Sequence, residues 1–562
     1  MLSPKIPYRI KFVFFILVPF LTYILAEWLQ GAFQSPVGVN FWLNLLFYYG
    51  FSFTLYGITG KLFVYTLVPA TLVWVLGVIN HYMIMLRSKA LLPWELAALN
   101  TAKTVDGNFD IPIDATTILS LVVLILICIL AFLLRKGTFF KSRLWSAVSG
   151  VLMLCVLWTI LWASPSFIST DADNVKASRH NGLAINVLHN LNYLASPEPE
   201  DYSPEKVREI IGENEKDGTM KPDIIVIMNE SFADLSTIAD LNEEEDFIPF
   251  FHSVSDNAIT GSARVSVFGG GTCTTEYEFL TGNAAHLLRP GSYPMVQFVD
   301  DKSPSIAQSL KAQGYRTIGL HSFFPECWDR DTAYPKLGFD EFLSIKDFEN
   351  PEMVRDYISD AASFGKIIEI LEDDVSPTFI FNVTMQNHFG YDRSYKNLEE
   401  TANFPEMNEF PRARRYFSLL SLTDKALSDL VDYLKKREKP TILLFFGDHL
   451  PSFEQEYYDI LQNRAGLSDE EMEVKKHTVP FLIWANYPIK DADNLEISAS
   501  FLSPLLLDTA GVSMTEHQNY LLELMNKMPL WEKGDRENLD GYKMVQYNMI
   551  FDKENTQGDL FK

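Results

Sequence analysis

Four short apolar runs in this chain each end on a residue able to hold a proton or a metal ion. Ile224 to Asn229 runs into Glu230, Thr317 to Leu320 into His321, Thr378 to Gln386 into Asn387-His388, and Leu443 to Gly447 into Asp448-His449. Runs rich in Val, Ile and Phe, separated by longer helical patterns, read as strands of a mainly parallel sheet. Ligands of open parallel sheets bind at the carboxyl ends of the strands. A polar residue ends most strands, so any one of these cases says little; four together point to one shared site.

A second signal is Phe268-Gly269-Gly270-Gly271-Thr272-Cys273-Thr274-Thr275-Glu276, which continues to Gly282. The glycines permit tight turns, Glu276 falls near a first helical turn, and Gly282 fits a C-cap. A loop entering a helix in this way presents free N–H groups and a positive dipole end beside Thr272, where a phosphate can sit. Alone, Thr272 is equally an ordinary helix N-cap, and Asp448-His449 alone reads as a turn after a buried strand. A hydroxyl is a poor nucleophile unassisted. A divalent cation held by Glu230, Asp448 and His449 together with Thr272 would favour the alkoxide and polarise a phosphoryl group. Three oxygen ligands and one imidazole suit Mn²⁺ or Mg²⁺, with Zn²⁺ also admitted.

These residues need elements to position them. From residue 221 the texture is α/β, with helical stretches at Ser305 to Gln313, Ala361 to Leu371 and Tyr416 to Lys436. The expected organisation is a membrane domain over 1–164, a polar extracellular tether over 165–220, the α/β domain over 221–528, and an extension or disordered tail over 529–562. Five apolar stretches are long enough to span a bilayer, namely Phe12 to Leu29, Phe41 to about Ile58, Leu62 to Leu86, Thr116 to Leu134 and Leu144 to Ala163. Lys5, Arg9, Lys11, Lys61 and the cluster Arg135, Lys136, Lys141, Arg143 lie on one side of these spans. The positive-inside rule therefore predicts a cytoplasmic N-terminus and an extracellular C-terminal domain. Around Trp94 the sequence reads equally as an amphipathic stretch anchored at the interface and as a bland loop.

Charge separates the two halves. Residues 1–164 carry 11 Lys+Arg against 5 Asp+Glu, a net of +6, which leaves 36 against 67, a net of −31, for residues 165–562. A nucleic-acid binder shows a basic face, so the charge argues against that class. The second to fifth spans have no charged residue at their centres, which argues against a transporter. Four cysteines make no disulfide scaffold.

The motifs Asn229-Glu230-Ser231-Phe232, Gly-Gly-Gly-Thr with Thr-Glu-Tyr-Glu-Phe, Cys327-Trp328-Asp329-Arg330-Asp331, Gln386-Asn387-His388-Phe389 and Gly447-Asp448-His449 resemble those of the lipoteichoic acid synthase family. These are membrane-anchored phosphotransferases within the alkaline phosphatase/sulfatase superfamily, and the resemblance covers essentially the whole chain. It implies an α-helical membrane domain of five spans plus an extracellular α/β domain of alkaline phosphatase/sulfatase type. It implies Thr272 as nucleophile, Glu230, Thr272, Asp448 and His449 around Mn²⁺, and Arg330, Trp328 and His388 lining a phosphoglycerol head-group pocket near His321. His388 is the expected general base. The implied donor is phosphatidylglycerol in the membrane lipid, and the acceptor a glycolipid or glycerophosphate polymer at a Gram-positive type of surface. Phosphoethanolamine transfer, phosphoglycerol transfer to a wall polysaccharide, and a non-catalytic polymer-binding role stay open as alternatives. The Cys-x-Pro-x-Arg pattern of sulfatases is missing around Cys273, so no formylglycine is expected, and pairing of Cys273 with Cys327 is left open.

Overall fold

A computed structural model describes residues 7–31, 38–87, 90–93, 113–135, 143–163, 165–169, 174–191, 197–239, 241, 246–289, 291–372, 377–555 and 560. Trp94, Lys5, Lys136 and Lys141 lie outside these residues. The described chain forms two compact units, one ending near Ala195 and the other running from there to the C-terminus.

The first unit is helical. Apolar runs of this length satisfy all their backbone groups internally as helices, the form a bilayer demands. Among the described residues four helices are long and apolar enough to cross a membrane: Arg9–Leu29, Leu62–Met85, Ala115–Leu133 and Arg143–Trp162. Asp114 caps the third, its carboxylate accepting from the Thr117 amide at 2.8 Å. Leu119, Val122, Leu126 and Leu133 are exposed on that helix, an apolar face suited to lipid rather than water. The remaining stretch expected as a span is also a helix, Val39–Thr59, 21 residues long and free of charge. Its Asn, Gly, Ser and Thr residues dilute the apolar character below that of the other four. It packs closely on Arg143–Ala163, where a Cβ on Gly57 would stand 2.4 Å from the Ala147 backbone nitrogen.

The segment expected as a polar tether is folded in two parts. Helices Asn174–Asn181 and Leu183–Leu191 belong to the first unit. Leu183 and Ala184 pack with Tyr23, Ala26 and Tyr48, and Ile185 packs with Leu43 and Leu157. The apolar face of Leu183–Leu191 makes this docking favourable, since burying such side chains is worth about 1.5–3 kcal/mol each. Helix Pro204–Ile211, capped by Ser203, joins the second unit through Val207 and Ile211.

The second unit is an α/β domain. Its strands are β1 (Asp223–Asn229), β2 (Ala258–Arg264), β3 (Arg316–His321), β4 (Glu341–Leu343), β5 (Met353–Val354), β6 (Tyr357–Ile358), β7 (Thr378–Val383), β8 (Thr441–Gly447), β9 (Thr478–Ala485) and β10 (Ala492–Ser498). Eight of them form one sheet in the order β10-β2-β9-β8-β1-β7-β3-β4, and β5 and β6 pair as a separate hairpin. β8, β1, β7, β3 and β4 run parallel, whereas β9 is antiparallel to both β8 and β2. Every residue of β1, β7 and β8 is buried, the continuous apolar pattern of central parallel strands. Helices Asp360–Glu372 and Pro411–Leu434 pack on each other and cover the sheet with Phe364, Ile367, Leu427 and Leu430.

Residues 529–555 are ordered structure rather than a disordered tail. Trp531 is buried and stacks on Tyr542 at 4.0 Å between ring centroids, and helix Arg536–Phe551 adds Val545 and Met549 to the core. The many charges that obscure its apolar stripe lie on the solvent side.

Candidate active site

The parallel strands bring Glu230, His321, Asn387-His388 and Asp448-His449 to one edge of the sheet. β1 pairs with β8 so that Asn229 faces Gly447, which sets Glu230 beside Asp448. The loop before Thr272 has three successive residues at positive φ, Gly269 at 66°, Gly270 at 142° and Gly271 at 96°. That backbone is strained for any residue with a Cβ. It delivers Thr272 as the first residue of the buried helix Thr272–Thr281, which Gly282 ends in the left-handed conformation. The Thr275 hydroxyl donates to the Asp448 carbonyl at 2.7 Å, locking this helix to the β8 loop.

Glu230, Asp448 and His449 offer ligand atoms that all lie within 4.8 Å of one another. His449 Nε2 stands 3.1 Å from Asp448 Oδ2 and 3.7 Å from Glu230 Oε1. Ligands each about 2.1 Å from a single ion stand about 3.0–3.4 Å apart at right-angle or tetrahedral geometry, so a cation fits with little movement. The Thr272 hydroxyl donates to Glu230 Oε2 at 3.4 Å. Second contacts orient the set, as metal ligands require. His449 Nδ1–H donates to the Leu450 carbonyl at 2.9 Å, which leaves the Nε2 lone pair on the cluster side. Asp448 Oδ1 accepts from the amides of Ser231 at 2.7 Å and His449 at 2.8 Å, while its Oδ2 is buried with no hydrogen-bond partner. Ser231, at φ 52°, donates its hydroxyl to Glu230 Oε1 at 2.8 Å. Burial and then the Asp448 charge push the Glu230 carboxyl well above its ordinary range, and burial also raises Asp448. Two carboxylates crowded away from water are a site that a dication relieves.

The chain belongs to the sulfatase family. The family model matches residues 222–512, more than half the chain and the whole of the described sheet. Among relatives, a Rhizobium meliloti (strain 1021) protein provisionally named for cyclic beta-1,2-glucan modification is 28% identical over 460 residues, covering 75% of this chain and 71% of its own. A lipoteichoic acid synthase of Staphylococcus aureus (strain USA300) is 23% identical over 365 residues, 60% of this chain and 53% of its own. The solved Streptococcus pyogenes phosphoglycerol transferase GacH, in complex with sn-glycerol-1-phosphate, shares the fold at TM-score 0.56 and 23% identity, over 65% of this chain and 99% of that one. The fold is thus of alkaline phosphatase/sulfatase type, and phosphotransferases are among the relatives of this sulfatase-family chain.

The other expected site residues have different surroundings. Arg330 is 1% exposed, and its guanidinium is engaged rather than open to a head group. Its Nε donates to both Glu276 oxygens at 3.0 Å, NH2 also meets Glu276, and NH1 donates to His321 Nε2 at 2.9 Å. The Tyr334 hydroxyl adds a bond to Glu276 at 2.6 Å. His321 Nδ1–H donates to the Val383 carbonyl at 3.0 Å, so both ring nitrogens are committed within the protein. Burial and then Arg330 hold this imidazole neutral, well below its ordinary range. Trp328 adopts φ 58° and lies against Tyr293, with centroids 5.0 Å apart. His388 is half-buried, with Nδ1 3.1 Å from the Tyr357 hydroxyl. Cys273 and Cys327 are both buried.

Sequence reasoning missed the support beneath Glu230. Asp360, fully buried, accepts from Asn229 at 2.8 Å and Thr423 at 2.7 Å, and Asn387 donates to Asn229 at 3.0 Å. This network ties the β1 and β7 loops together, and burial lifts the Asp360 carboxyl to about 6.

Proposed function

We propose that the chain is a metal-dependent phosphoglycerol transferase that moves glycerophosphate from phosphatidylglycerol to a surface glycopolymer. The observation that carries this reading is the Thr272 hydroxyl, set at a helix N-terminus 3.4 Å from Glu230 within the Glu230–Asp448–His449 cluster. Glu230, Thr272, Asp448 and His449 would hold the metal, with Mn²⁺ preferred. Such an ion favours the alkoxide form of Thr272 and polarises the phosphoryl group.

The residues of the chain supply the remainder. The Thr272 oxygen forms a bond to phosphorus as the bond to diacylglycerol breaks, and the proton given up by the Thr272 hydroxyl passes to the leaving alkoxide. A glycerophospho-threonine results. An acceptor hydroxyl then attacks phosphorus, its proton passes to His388 as general base, and the Thr272 oxygen departs and takes that proton back, restoring the hydroxyl. Trp328 and His388 border the head group, and Arg330 with His321 holds the wall behind them. Five spans with a cytoplasmic N-terminus place the catalytic unit outside the membrane, where the lipid donor is concentrated beside it. In this reading Val39–Thr59 is the second of the five spans: its 21 residues cover about 31 Å of helix, the thickness of a bilayer core.

The acceptor is a glycan or glycolipid hydroxyl at the cell surface. The relatives named for glucan modification and for lipoteichoic acid synthesis support a glycopolymer, and their occurrence in Rhizobium meliloti and Staphylococcus aureus favours no single envelope type. The test compares diacylglycerol release by the purified full chain with Mn²⁺ from phosphatidylglycerol and from phosphatidylethanolamine. Release from phosphatidylglycerol alone supports the reading. Release from phosphatidylethanolamine alone assigns the chain to phosphoethanolamine transfer.

A further inference from the structure

Arg355 carries a charge that nothing described in the protein balances. It sits in the two-residue turn of the β5–β6 hairpin, at φ 56°, and is only 4% exposed. Its NH2 donates to the carbonyls of Gln386 and His388, both at 2.6 Å, while Nε and NH1 are buried with no hydrogen-bond partner. Among the described residues no carboxylate forms an ion pair with it. Three tyrosine rings flank the guanidinium, Tyr357 at 5.2 Å, Tyr391 at 5.3 Å and Tyr395 at 5.8 Å. Ring faces attract a cation, yet they give Nε and NH1 no acceptor of the kind an arginine fork is built for.

The position matters as much as the missing partner. Arg355 grips the backbone of His388, and Tyr357, next but one in sequence, meets the ring of His388. Arg355 NH2 also holds the Gln386 carbonyl, and the next residue, Asn387, donates to Asn229, the neighbour of Glu230, which places the guanidinium in the neighbourhood of the cluster that holds Thr272. NH1 lies beneath Gly390, whose Cβ, were there one, would stand 3.9 Å from it, so this covering segment has no side chain over the nitrogen.

We propose that Arg355 is the anion-binding residue of this site, receiving through Nε and NH1 a phosphate group of the substrate. The proposal rests on the phosphotransfer reading for the nature of the anion. A guanidinium is not neutralised by losing its proton, so a buried one without a counter-ion is explained when the negative charge arrives with a ligand. Two sources share this chemistry: the phosphodiester of the lipid donor, and a phosphate already present on the acceptor polymer. Arg330 cannot serve in the same way while Glu276 occupies it.

The experiment uses the full chain in detergent with Mn²⁺, as wild type, R355Q and R355K. Binding of inorganic phosphate is measured by calorimetry, diacylglycerol release from phosphatidylglycerol without acceptor, and transfer to a glycerophosphate polymer. Loss of a hydrogen-bonded charge predicts phosphate binding about 10- to 100-fold weaker in R355Q, with R355K intermediate because lysine lacks the planar fork. A matching rise in KM for phosphatidylglycerol assigns the anion to the donor. A rise confined to KM for the polymer assigns it to the acceptor. Unchanged phosphate affinity and unchanged KM values in R355Q, with a lower melting temperature, overturn the proposal and leave Arg355 a packing residue among the tyrosines. Should R355Q fail to accumulate, R355K decides: several-fold weaker phosphate binding supports the proposal and wild-type affinity overturns it. Arg355-dependent phosphate binding in a wild-type chain that releases no diacylglycerol would refute the donor assignment and not the anion site.

Discussion

Removing Arg330 should destabilise the catalytic unit before it affects substrate binding. Arg330 and Glu276 have side chains 2% and 0% exposed, and three guanidinium contacts join them. Breaking one side of a buried ion pair costs about 3–5 kcal/mol, because the surviving charge is stranded. In R330M the stranded group is the Glu276 carboxylate, which keeps the Tyr334 hydroxyl, and in E276Q it is the Arg330 guanidinium, which keeps His321 and the Cys327 carbonyl, so each single variant should lose stability by that amount. The double variant R330M/E276M should recover to within about 1 kcal/mol of wild type or exceed it. Urea unfolding of the full chain in detergent measures all four proteins. If R330M unfolded at the wild-type midpoint while KM for phosphatidylglycerol rose tenfold or more, the guanidinium would be a substrate ligand and the argument from its pairing would fail.

Other outcomes follow from the same geometry. T272A should lose transfer by about 10³-fold or more, as removal of a nucleophile does, while T272S retains measurable diacylglycerol release. Chelation should lower the melting temperature and Mn²⁺ at 100 times its Kd should restore about 2.7 kcal/mol, an effect that D448N abolishes in a thermal-shift assay. His252 lies between Asp234 at 3.2 Å and Asp246 at 2.8 Å, and the Asp234 bond is the main reason its pKa rises to about 9. Its charge therefore stabilises fully below about pH 6.5 and is lost as pH rises through 9, worth about 1 kcal/mol after solvent screening. H252Q should flatten the pH dependence of stability in that window. W531A should cost about 3–5 kcal/mol, whereas a disordered tail would tolerate it, as circular-dichroism melting will tell.

The central strands were legible because burial on both faces leaves a continuous apolar run, and each run ends on a candidate site residue. β7 starts at Thr378, where the run to Gln386 starts in the sequence, and ends at Val383, ahead of the polar Thr384. β2 and β10 escaped notice because they lie toward one edge of the sheet, where Gly261, Ser262, Asp493 and Asn494 interrupt any apolar pattern. The Glu230–Asp448–His449 cluster was readable from residue types at strand ends. The fate of Arg330 was not, since its partner Glu276 lies 54 positions away and a sequence shows a guanidinium without showing what it touches. The same holds for Arg355, an isolated residue between two-residue strands that no pattern marks. In the C-terminal segment the stripe Tyr542, Val545, Met549 was present to be read, but its many charged neighbours lowered the signal.

The proposed transfer requires a covalent adduct at Thr272. The full chain with Mn²⁺ would be incubated with phosphatidylglycerol labelled in the glycerol head group, and the protein analysed by intact and peptide mass spectrometry. The expected result is a glycerophosphate on the peptide containing Thr272, absent in T272A and discharged when acceptor is added. Diacylglycerol release with metal bound and with label on another residue, or with no protein-bound label under rapid quenching, would contradict it.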